Sequence, residues 1–521
     1  MKSVRCSTIV LAAGCVMALA GGVFIWAFDE ILRSQVVKNV QLREGGFTYD
    51  IWKDVPVEFH MSVYVWDITN PRQVVRGDKP KLVQRGPFVY REYRKKANIT
   101  FNENGTVSYR EYRHYRFSRE RSVASDDFVF TTINVPVLGA AVSVENAPGF
   151  VKFMMDTAFN LLGAEPLIQL RVRDLLWGYS DPFIDFVHNN FPSILPKNKF
   201  GFFMDYNNSN NGLFTAHTGV SDISQAHVLV NWNGMEELSY WGDGGCQHDQ
   251  WDSGSDVAAI PTTPNCPLRF FSPEACRSLQ MEPVGKGSSL GIPVVRFMAP
   301  SWLFANGSDH ADNAGFCPCG PSGVLNVSRC RFDSSAFISH PHFYNGDASL
   351  RDGVTGLDPV ADLHEMFIDL HPLTGVPVNV SIRLQLNMMV KGVEGISTSG
   401  NIKPVILPIL WFEESGHMDG ELRDTFWTNV VLLPLIMDVV RYGLLGLGLA
   451  LALGGAVALA VTRSRRRTDD NDDENEKGEK GEAVKTTPTT KKTKGRLNNN
   501  TKEYREVSGG TAPPPEKITK L

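Results

Sequence analysis

The sequence predicts a mainly β-stranded domain with some helix, held between two membrane-spanning helices. Two observations predict the helices: residues 9–28 and 442–461 each lack charged side chains, and about 20 apolar residues span the hydrocarbon core as a helix. A third observation predicts the domain. The residues between the two runs consist mostly of short apolar or alternating segments separated by Gly, Pro and Asn, which is typical of strands joined by tight turns.

The first apolar run has two interpretations. A cleaved signal peptide would use Ala18-Leu19-Ala20 as its cleavage site, but a signal core usually runs about 7 to 15 residues, so the length favours an uncleaved anchor. Lys2 and Arg5 precede this run, and a cluster of arginines at 463–467 follows the second run. Because positively charged flanks stay in the cytoplasm, both ends of the chain are expected there. The predicted boundaries are 1–8 (cytoplasmic), 9–28 (transmembrane), 29–441 (extracellular or lumenal), 442–461 (transmembrane) and 462–521 (cytoplasmic tail).

Glycosylation sequons and cysteines support this topology. Six N-x-S/T sequons lie between the two apolar runs, where secretory-pathway enzymes would reach them. They are Asn98, Asn104, Asn207, Asn306, Asn326 and Asn379. Of eight cysteines, two lie at or in the first run, and an even six remain in the predicted oxidising compartment, where disulfides are expected. The six are Cys246, Cys266, Cys276, Cys317, Cys319 and Cys330.

The segment after the second run has a composition typical of disorder. From Thr468 onwards it is highly charged and poor in apolar residues, so it cannot offset the entropy of ordering the chain; a solvated spacer and a regulatory tail both stay open. The last four residues, Ile518-Thr519-Lys520-Leu521, fit a PDZ-domain ligand. Leu521 would fill a pocket and Thr519 would form a hydrogen bond, while backbone amides hold the carboxylate.

The net charge of the chain excludes few kinds of partner, but one local basic segment raises the question of nucleic-acid binding. The net charge of −5 does not require a polyanionic partner. Locally, residues 85–121 contain YREYRKK and YREYRHYRFSRER, an interleaving of aromatic and basic residues that an RNA-binding strand could show. An extracellular or lumenal address argues against nucleic acid. Solvated strand faces, or recognition of an anionic particle or phospholipid head group, are the remaining interpretations.

Helices are predicted inside the β domain. Apolar residues recur at helical spacing over 149–162, between Pro148 and Gly163. A second helical segment is expected at 172–191. A β-rich domain of this length exceeds the usual size of a single core, so it should either subdivide or enclose something.

Catalytic motifs are weak. Gly287-Ser288-Ser289-Leu290-Gly291 has the spacing of an esterase nucleophile elbow, but the elbow needs a helix after the serine, and Pro293 stands in a strand-like segment there. A zinc site is disfavoured, because His364-Glu365 lacks a second histidine four residues on and because the cysteines favour disulfides. No nucleotide, dinucleotide or metal-binding motif is present. We therefore predict a protein without enzymatic activity or cofactor.

Several segments together resemble the class B scavenger receptor family. They occur in the family's order over nearly the whole chain, and as a set they are highly specific. They are RGPFVYREYRKKANITF, RDLLWGYSDPF, LFANGS, GFCPC, ISHPHFYNGD and FIDLHPLTGVPVNVS. The resemblance implies an antiparallel β-barrel ectodomain, a helical cap at about 149–191 far from the membrane, and an internal apolar tunnel for lipid.

The resemblance also implies pairings among the cysteines. Cys276 and Cys330 match one family disulfide, and Cys317 and Cys319 match a short CxC bridge. Cys266 is additional, and Val380 stands where a cysteine is usual. We therefore hypothesise that Cys246 pairs with Cys266. Lysines that family members binding fatty acids carry near the end of the cap helix are replaced by Leu161-Leu162-Gly163-Ala164-Glu165, which disfavours a fatty-acid carboxylate as the main ligand.

The implied function is that of a plasma-membrane receptor, with caveolae as one location and a lysosomal address disfavoured by the absence of an acidic-dileucine signal. It would bind high-density lipoprotein and its apolipoproteins and transfer cholesteryl ester, cholesterol and phospholipid passively to the membrane, with a PDZ-domain adaptor at the tail. The alternatives are a receptor for fatty acid or anionic phospholipid that works by docking and endocytosis, and a lipid esterase using Ser289. Candidate lipoprotein or lipid contacts are Phe150, Phe153, Met154, Phe159 and Trp411; for each, ordinary core packing is the alternative.

Small residues in the two membrane segments predict close helix packing. Gly14-Ala18-Gly22 and Gly446-Ala450-Gly454 recur at four-residue spacing, which lets helix backbones approach in a membrane. Pairing of the two segments within one chain and assembly into a homo-oligomer are both open.

Overall fold

A computed structural model describes residues 2–193, 195–238, 241, 267–316, 320–331 and 335–479, and the structural statements below concern these residues. The helices are α1 (Lys2–Val40), α2 (Phe47–Lys53), α3 (Pro71–Val75), α4 (Val135–Ser143), α5 (Gly149–Leu162), α6 (Val172–Trp177), α7 (Pro182–Asn190), α8 (Ala348–Asp352), α9 (Ala361–His364), α10 (Gly420–Trp427) and α11 (Leu433–Glu479). A π-helical turn, Thr428–Leu432, joins the last two.

The strands make up most of the region between the terminal helices. They are β1 (Phe59–Ile68), β2 (Leu82–Phe101), β3 (Thr106–Phe117), β4 (Val129–Ile133), β5 (Leu167–Arg171), β6 (Ser209–Asn210), β7 (Phe214–His217), β8 (Leu229–Trp232), β9 (Leu268–Ser272), β10 (Arg277–Ser289), β11 (Ile292–Met298), β12 (Val324–Asn326), β13 (Ala336–Ser339), β14 (Phe367–Leu370), β15 (Pro377–Val390) and β16 (Val405–His417).

Two terminal helices are long and apolar enough to cross a membrane, at Arg5–Val40 and Gly420–Thr468. The protein is therefore a membrane protein with two candidate spans, as the charge-free runs predict. The contacts divide the chain into two units, Met1–Met17 with Leu447–Leu521, and Ala18–Gly446.

Glycines bring the terminal helices into backbone contact inside each unit. In the first unit, a Cβ added to Gly14 would lie 2.3 Å from the amide nitrogen of Ala452, and one on Gly455 would lie 2.6 Å from that of Leu11. In the second unit, a Cβ on Gly21 would lie 2.7 Å from the amide nitrogen of Leu445. The packing therefore uses glycines, as predicted, but only Gly14 of the predicted series is among them. Added Cβ atoms on Gly22, Gly446 and Gly454 meet no described atom within 4 Å.

The main sheet has 14 strands and its pairs are antiparallel. Its hydrogen-bonded order is β8-β7-β3-β2-β1-β16-β15-β14-β11-β10-β9, with β6, β12 and β13 attached at the side. Strands β4 and β5 form a separate pair. Among the described residues the edge strands β8 and β9 are not hydrogen-bonded to each other, so the sheet is open and barrel closure stays a prediction. The rings of Trp232 in β8 and Phe271 in β9 nevertheless lie 5.2 Å apart.

Helices α4, α5 and α7 pack together around a small core of their own. Phe159 of α5 and Phe183 of α7 meet at 4.9 Å, and Val393 and Ile396 from the segment after β15 complete this core. Helix α5 has the bounds predicted from its periodicity and ends at Gly163, whose φ is +64°. We refer to α4, α5 and α7 as the helical cap.

The second predicted helix, 172–191, is wrong as one segment. Two helices, α6 and α7, occupy it. Gly178 has a φ of +114° and leaves the helical region. Asp181 then caps a new helix by accepting a hydrogen bond from the amide of Ile184, and Pro182 follows at a position where it needs no donor.

Candidate functional site

A cavity of about 100 Å³ lies against one face of the sheet. Most of its wall is apolar and includes Phe59, Phe270, Ile382, Leu384 and Phe412. One side of the wall is charged and is formed by Arg94, Arg113, Glu274 and Glu414. We call this the sheet cavity and its charged side the polar wall.

Strand register explains which side chains reach the sheet cavity. Residues directly opposite each other on paired strands point to the same face. Leu384 pairs with Phe412 and Ile382 pairs with Glu414, so these four share a face. On the other flank of β16, Val63 pairs with Phe412, which places alternate residues of β1 on that face too.

Trp411 therefore does not line this cavity, and its neighbour Phe412 does. Trp411 points to the opposite face, where its ring stacks on that of Tyr64 at 3.8 Å and its Nε1 donates a hydrogen bond of 2.7 Å to Gln84. Residues 405–412 of β16 are buried on both faces of the sheet, so their apolar pattern carries no signal of which residue faces inward.

The polar wall continues into a buried network of ion pairs on β2 and β3. Arg94 pairs with Arg113, and Lys96 pairs with Glu111, in the strand register. Nε of Arg94 donates to Glu92 at 2.8 Å, and another guanidinium nitrogen donates to Glu414 at 2.9 Å. Sequence reasoning missed this network, because the alternation of charged and aromatic residues in YREYRKK is also the pattern of a solvated strand.

Two carboxyl groups of this network have pKa values that are shifted in opposite directions. Burial alone would raise the pKa of Glu111, but Lys96 and Arg113 lower it to about 2. Burial raises the pKa of Glu92, and the attraction of Arg94 does not offset it because the negative charge of Glu414 adds to the rise. The network thus combines one firmly ionised carboxylate, Glu111, with one carboxyl, Glu92, that gains a proton more readily than usual.

The other half of the basic segment faces outward. Arg91 lies over the ring of Tyr93 at 4.9 Å and pairs with Glu58 at 2.7 Å on the surface. Lys95 is exposed. Of the interpretations drawn from the sequence, a solvated strand face fits these alternate residues, while the intervening residues form the buried network.

A turn between β9 and β10 carries Glu274 to the polar wall. The next residue but one, Cys276, forms a disulfide with Cys330 (S–S 2.09 Å), the pairing implied by the family resemblance. Arg331 donates hydrogen bonds to the carbonyls of Pro273 (2.9 Å) and Glu274 (3.0 Å). The position of Glu274 is therefore fixed by a covalent link and by backbone hydrogen bonds.

The predicted contacts on the cap separate into two groups. Phe150, Phe153 and Met154 of α5 are 72%, 65% and 54% exposed. Phe159 is fully buried against Phe183. Three of the four residues therefore form an exposed apolar ridge, which we call the cap ridge, and Phe159 is a core residue of the cap.

Histidines cluster on the face of the sheet that carries Trp411. The rings of His342 and His364 stack at 4.1 Å, and Nε2 of His342 lies 2.7 Å from Oε1 of Gln84. Burial, with the neighbouring His364, lowers the pKa of His342 to about 3. His364, considered above as a zinc ligand, is thus part of a packed aromatic cluster.

The esterase-like motif forms a β-hairpin. Ser289 is buried and pairs with Ile292 across the turn between β10 and β11. The carbonyls of Leu290 and Gly291 accept hydrogen bonds from Arg423 and from Nε1 of Trp427 in α10. A strand follows the serine instead of the helix that a nucleophile elbow requires.

The remaining predicted sites are the glycosylation sequons, four cysteines and the C-terminal PDZ-domain ligand, and the structure describes only the sequons. Asn98 and Asn104 are exposed, and Asn207, Asn306, Asn326 and Asn379 are partly exposed. In three sequons the asparagine Oδ1 accepts a hydrogen bond from the Ser or Thr hydroxyl two residues later. Cys246, Cys266, Cys317, Cys319, Thr519 and Leu521 lie outside the described residues.

Comparison with known proteins decides the family. The family model described as CD36 family matches residues 12–459. The chain belongs to the CD36 family. It is 45% identical over 441 residues to scavenger receptor class B member 1 of Bos taurus, covering 84% of this chain and 86% of that protein.

Other CD36-family relatives place the chain within the family. Scavenger receptor class B member 1 of Mus musculus is 44% identical over 438 residues, covering 84% of this chain and 86% of the relative. Lysosome membrane protein 2 of Homo sapiens is 31% identical over 452 residues, covering 86% and 92%. The resemblance found in the motifs is confirmed, and the lysosomal relative is the more distant of the two kinds. The class B relatives are named as receptors and not as enzymes.

Proposed function

We propose that this protein is a plasma-membrane lipoprotein receptor. It docks high-density lipoprotein on its cap and lets cholesteryl ester, and with it cholesterol and phospholipid, move passively through the sheet domain to the membrane. The cap ridge is the observation that supports docking of lipoprotein on the cap. Three large apolar side chains are exposed together on one helix, and contiguous exposed apolar surface marks interaction sites for proteins or lipid.

Without such a path, a sterol ester would have to cross water against a large free-energy barrier. Moving a sterol ester through water would expose about 800 Å² of apolar surface, which costs about 20 kcal/mol at ~25 cal/mol/Å². A barrier of that size makes desorption extremely slow. A protein lined with apolar side chains removes much of the cost without chemistry, and the apolar wall of the sheet cavity supports this role. The approach of Trp232 to Phe271 across the open edges supports a sheet that closes around lipid.

Topology and partners follow from the same proposal. Both ends of the chain face the cytoplasm, residues 29–441 face the exterior, and the C-terminal Thr519 and Leu521 bind a PDZ-domain adaptor. The added-Cβ positions of Gly446 and Gly454 are open, which leaves that side of α11 available for a second copy in a homo-oligomer. Pairing of Cys317 with Cys319, and of Cys246 with Cys266, is part of the proposed extracellular domain.

Two variants separate docking from transfer. Phe153→Ser removes an exposed apolar side chain of the cap ridge, and we expect it to weaken lipoprotein binding. Val123→Ser is the control, because Val123 is also apolar and is 60% exposed outside the cap. Ile382→Trp fills the sheet cavity, and we expect it to reduce uptake of cholesteryl ether while binding persists. Both would be measured with doubly labelled lipoprotein at equal surface expression. Loss of binding and uptake in the same proportion for Ile382→Trp would contradict the proposed path.

A receptor that binds particles and takes them up by endocytosis is the alternative function. It has one specific observation in its favour. The sheet cavity of about 100 Å³ holds only part of a lipid. In that case Ile382→Trp would change neither binding nor uptake.

A further inference from the structure

We propose that the face of strands β1–β3 that points away from the sheet cavity is a binding surface for a sulfated glycan chain. We call this surface the arginine strip. Its residues are His60 of β1, Arg91 and Tyr93 of β2, His114 and Arg116 of β3, and Arg121 just after β3. The inference goes beyond the proposed function, because the ligand is a polyanion outside the sheet domain and not a lipid.

Alternation along the strands places the strip on one face. Arg94 of β2 and Arg113 of β3 line the sheet cavity, and successive residues of a strand point to opposite faces. Arg91 and Arg116 are each an odd number of residues away from them, so both point away from the cavity. Arg91 lies directly opposite His60 on one side and directly opposite Arg116 on the other. The three side chains therefore form a row across three strands.

This row brings like charges together without compensation inside the fold. Like charges directly opposite each other destabilise a sheet, so the pairing of Arg91 with Arg116 does not help folding. Among the described residues, the only ion pair made by the three arginines of the strip joins Arg91 to Glu58 at 2.7 Å. Both partners are more than a third exposed, and surface pairs of this kind contribute little to stability. The side chains of Arg116 and Arg121 are exposed and have no hydrogen-bond or ion-pair partner in the part of the chain that the structure describes.

The environment of His60 shows the excess of positive charge. Burial is the largest cause that lowers the pKa of His60, and the charge of Arg121 is the next. Arg91 and His417 of β16 lower this pKa further, whereas Glu58 opposes them. An anion placed on the strip would therefore be stabilised by the same charges that disfavour a proton on His60.

The guanidinium groups indicate what kind of anion fits. Each presents parallel N–H donors in a planar fork that matches two oxygens of an oxyanion. Arg91 and Arg116 stand on neighbouring strands, which are about 4.8 Å apart, and Arg121 extends the charge beside His60. This arrangement fits successive anionic groups along one polymer better than a single isolated phosphate.

The aromatic side chains of the strip favour a sugar over a lipid. Tyr93 is 41% exposed, its ring lies 5.9 Å from that of His114, and the guanidinium of Arg91 lies over it at 4.9 Å. An exposed aromatic ring offers a flat apolar face to the C–H groups of a sugar ring. The other side chains of the strip are charged or polar, so the acyl chains of a phospholipid would have no aliphatic surface to lie on. A sulfated sugar chain therefore fits the strip better than an anionic membrane does.

Binding of fluorescent heparin tests the proposal. The full-length chain is expressed in cells that cannot make sulfated glycans, and heparin is added outside, where it does not reach the arginines at 463–467 that are expected in the cytoplasm. We expect saturable binding that weakens steeply with salt, because salt screens exposed charges, and no binding of chemically desulfated heparin. Arg116→Ala should weaken binding about fivefold at equal surface expression. Arg116→Lys should recover part of that loss, because it restores the charge but not the fork.

Matched measurements make the outcomes distinct. Arg72→Ala is the control variant, because Arg72 is an exposed arginine on α3, beyond the other end of β1, and it should leave heparin binding unchanged. Arg116→Ala should keep or raise the melting temperature of the purified protein, since it removes a like-charge pair; a lower melting temperature would show that Arg116 serves the fold and would overturn its assignment to a ligand.

Three binding results would overturn the proposal. They are equal heparin binding by wild type and Arg116→Ala, equal binding of heparin and its desulfated form, and absence of heparin binding. Loss of binding to phosphatidylserine vesicles in Arg116→Ala, with heparin binding unchanged, would make the strip a surface for lipid head groups instead.

Discussion

Acid should destabilise this protein through its buried histidines, and His340 allows the size of the effect to be worked out. His340 is 2% exposed, and neither ring nitrogen has a hydrogen-bond partner among the described residues. Its ring packs against Phe304 at 5.0 Å. Burial, together with the nearby charge of His364, lowers the pKa of His340 from 6.5 to about 4. Protonation therefore favours the unfolded chain.

The direction and magnitude follow from proton linkage. A group whose pKa is lower in the folded state contributes stability above its unfolded pKa, and that stability is lost as the pH falls towards the folded pKa. At pH 7.4 His340 is neutral in both states. At pH 5.0 the unfolded chain binds nearly one proton and the folded chain about a tenth of one, so the free energy of unfolding falls by about 2 kcal/mol at 1.36 kcal/mol per pKa unit.

Thermal melting of the purified protein in detergent at pH 7.4 and 5.0 measures this loss. Unfolding entropy of about 2.1 cal/mol/K per residue converts 2 kcal/mol into a shift of roughly 2 °C for a domain of this size. We expect His340→Phe to recover that shift at pH 5.0, while His114→Phe, at an exposed position, recovers none. The pKa values of His364 and His371 are also lowered to about 4 by burial, so the wild-type loss should exceed that of His340 alone. An equal loss of melting temperature at pH 5.0 in wild type and His340→Phe would show that protonation of His340 does not destabilise the fold.

Three further outcomes are expected. Glu111→Ala removes the carboxylate that lies 3.4 Å from the ammonium of the buried Lys96 and should lower the free energy of unfolding by about 3–5 kcal/mol, seen as loss of surface expression; wild-type expression would contradict it. Replacing both Cys276 and Cys330 by Ser opens a loop whose ends are 54 residues apart and should cost about 4 kcal/mol, so an unchanged melting temperature would refute that estimate. Trp411→Ala loses the stack on Tyr64 and should cost about 3–5 kcal/mol, reducing binding and lipid transfer together per cell; a selective loss of transfer per surface receptor would return Trp411 to the lipid path.

Local sequence signals allowed helix α5 of the cap to be predicted, but similar signals gave a wrong prediction for the segment 172–191. Helix α5 has sequence signals at each end and an unbroken apolar period, so its bounds follow from residues within the segment. The segment 172–191 has apolar spacing as well, but Gly178 and Pro182 divide it. The backbone preferences of Gly178 and Pro182 therefore outweigh the helical spacing of the apolar residues in this segment.

The polar wall could not be predicted from local sequence. Arg94 looks like a solvated residue within its own strand, but inside the protein it pairs both with Glu92 of that strand and with Glu414, 320 residues later. The same is true of Trp411 and Phe412, since β16 is apolar on both faces and the inward side is decided by its register with β1 and β15. Long-range strand pairing therefore determines the site, whereas composition and family resemblance indicate only that one is present.

In the proposed function, lipid leaves the bound particle and passes to the membrane while the particle stays outside. Cells expressing this protein would be given high-density lipoprotein that carries one label on a non-hydrolysable cholesteryl ether and another on its protein. We expect uptake of the ether label to exceed uptake of the protein label several-fold. Equal uptake of the two labels would contradict it, because whole particles would then be entering the cell.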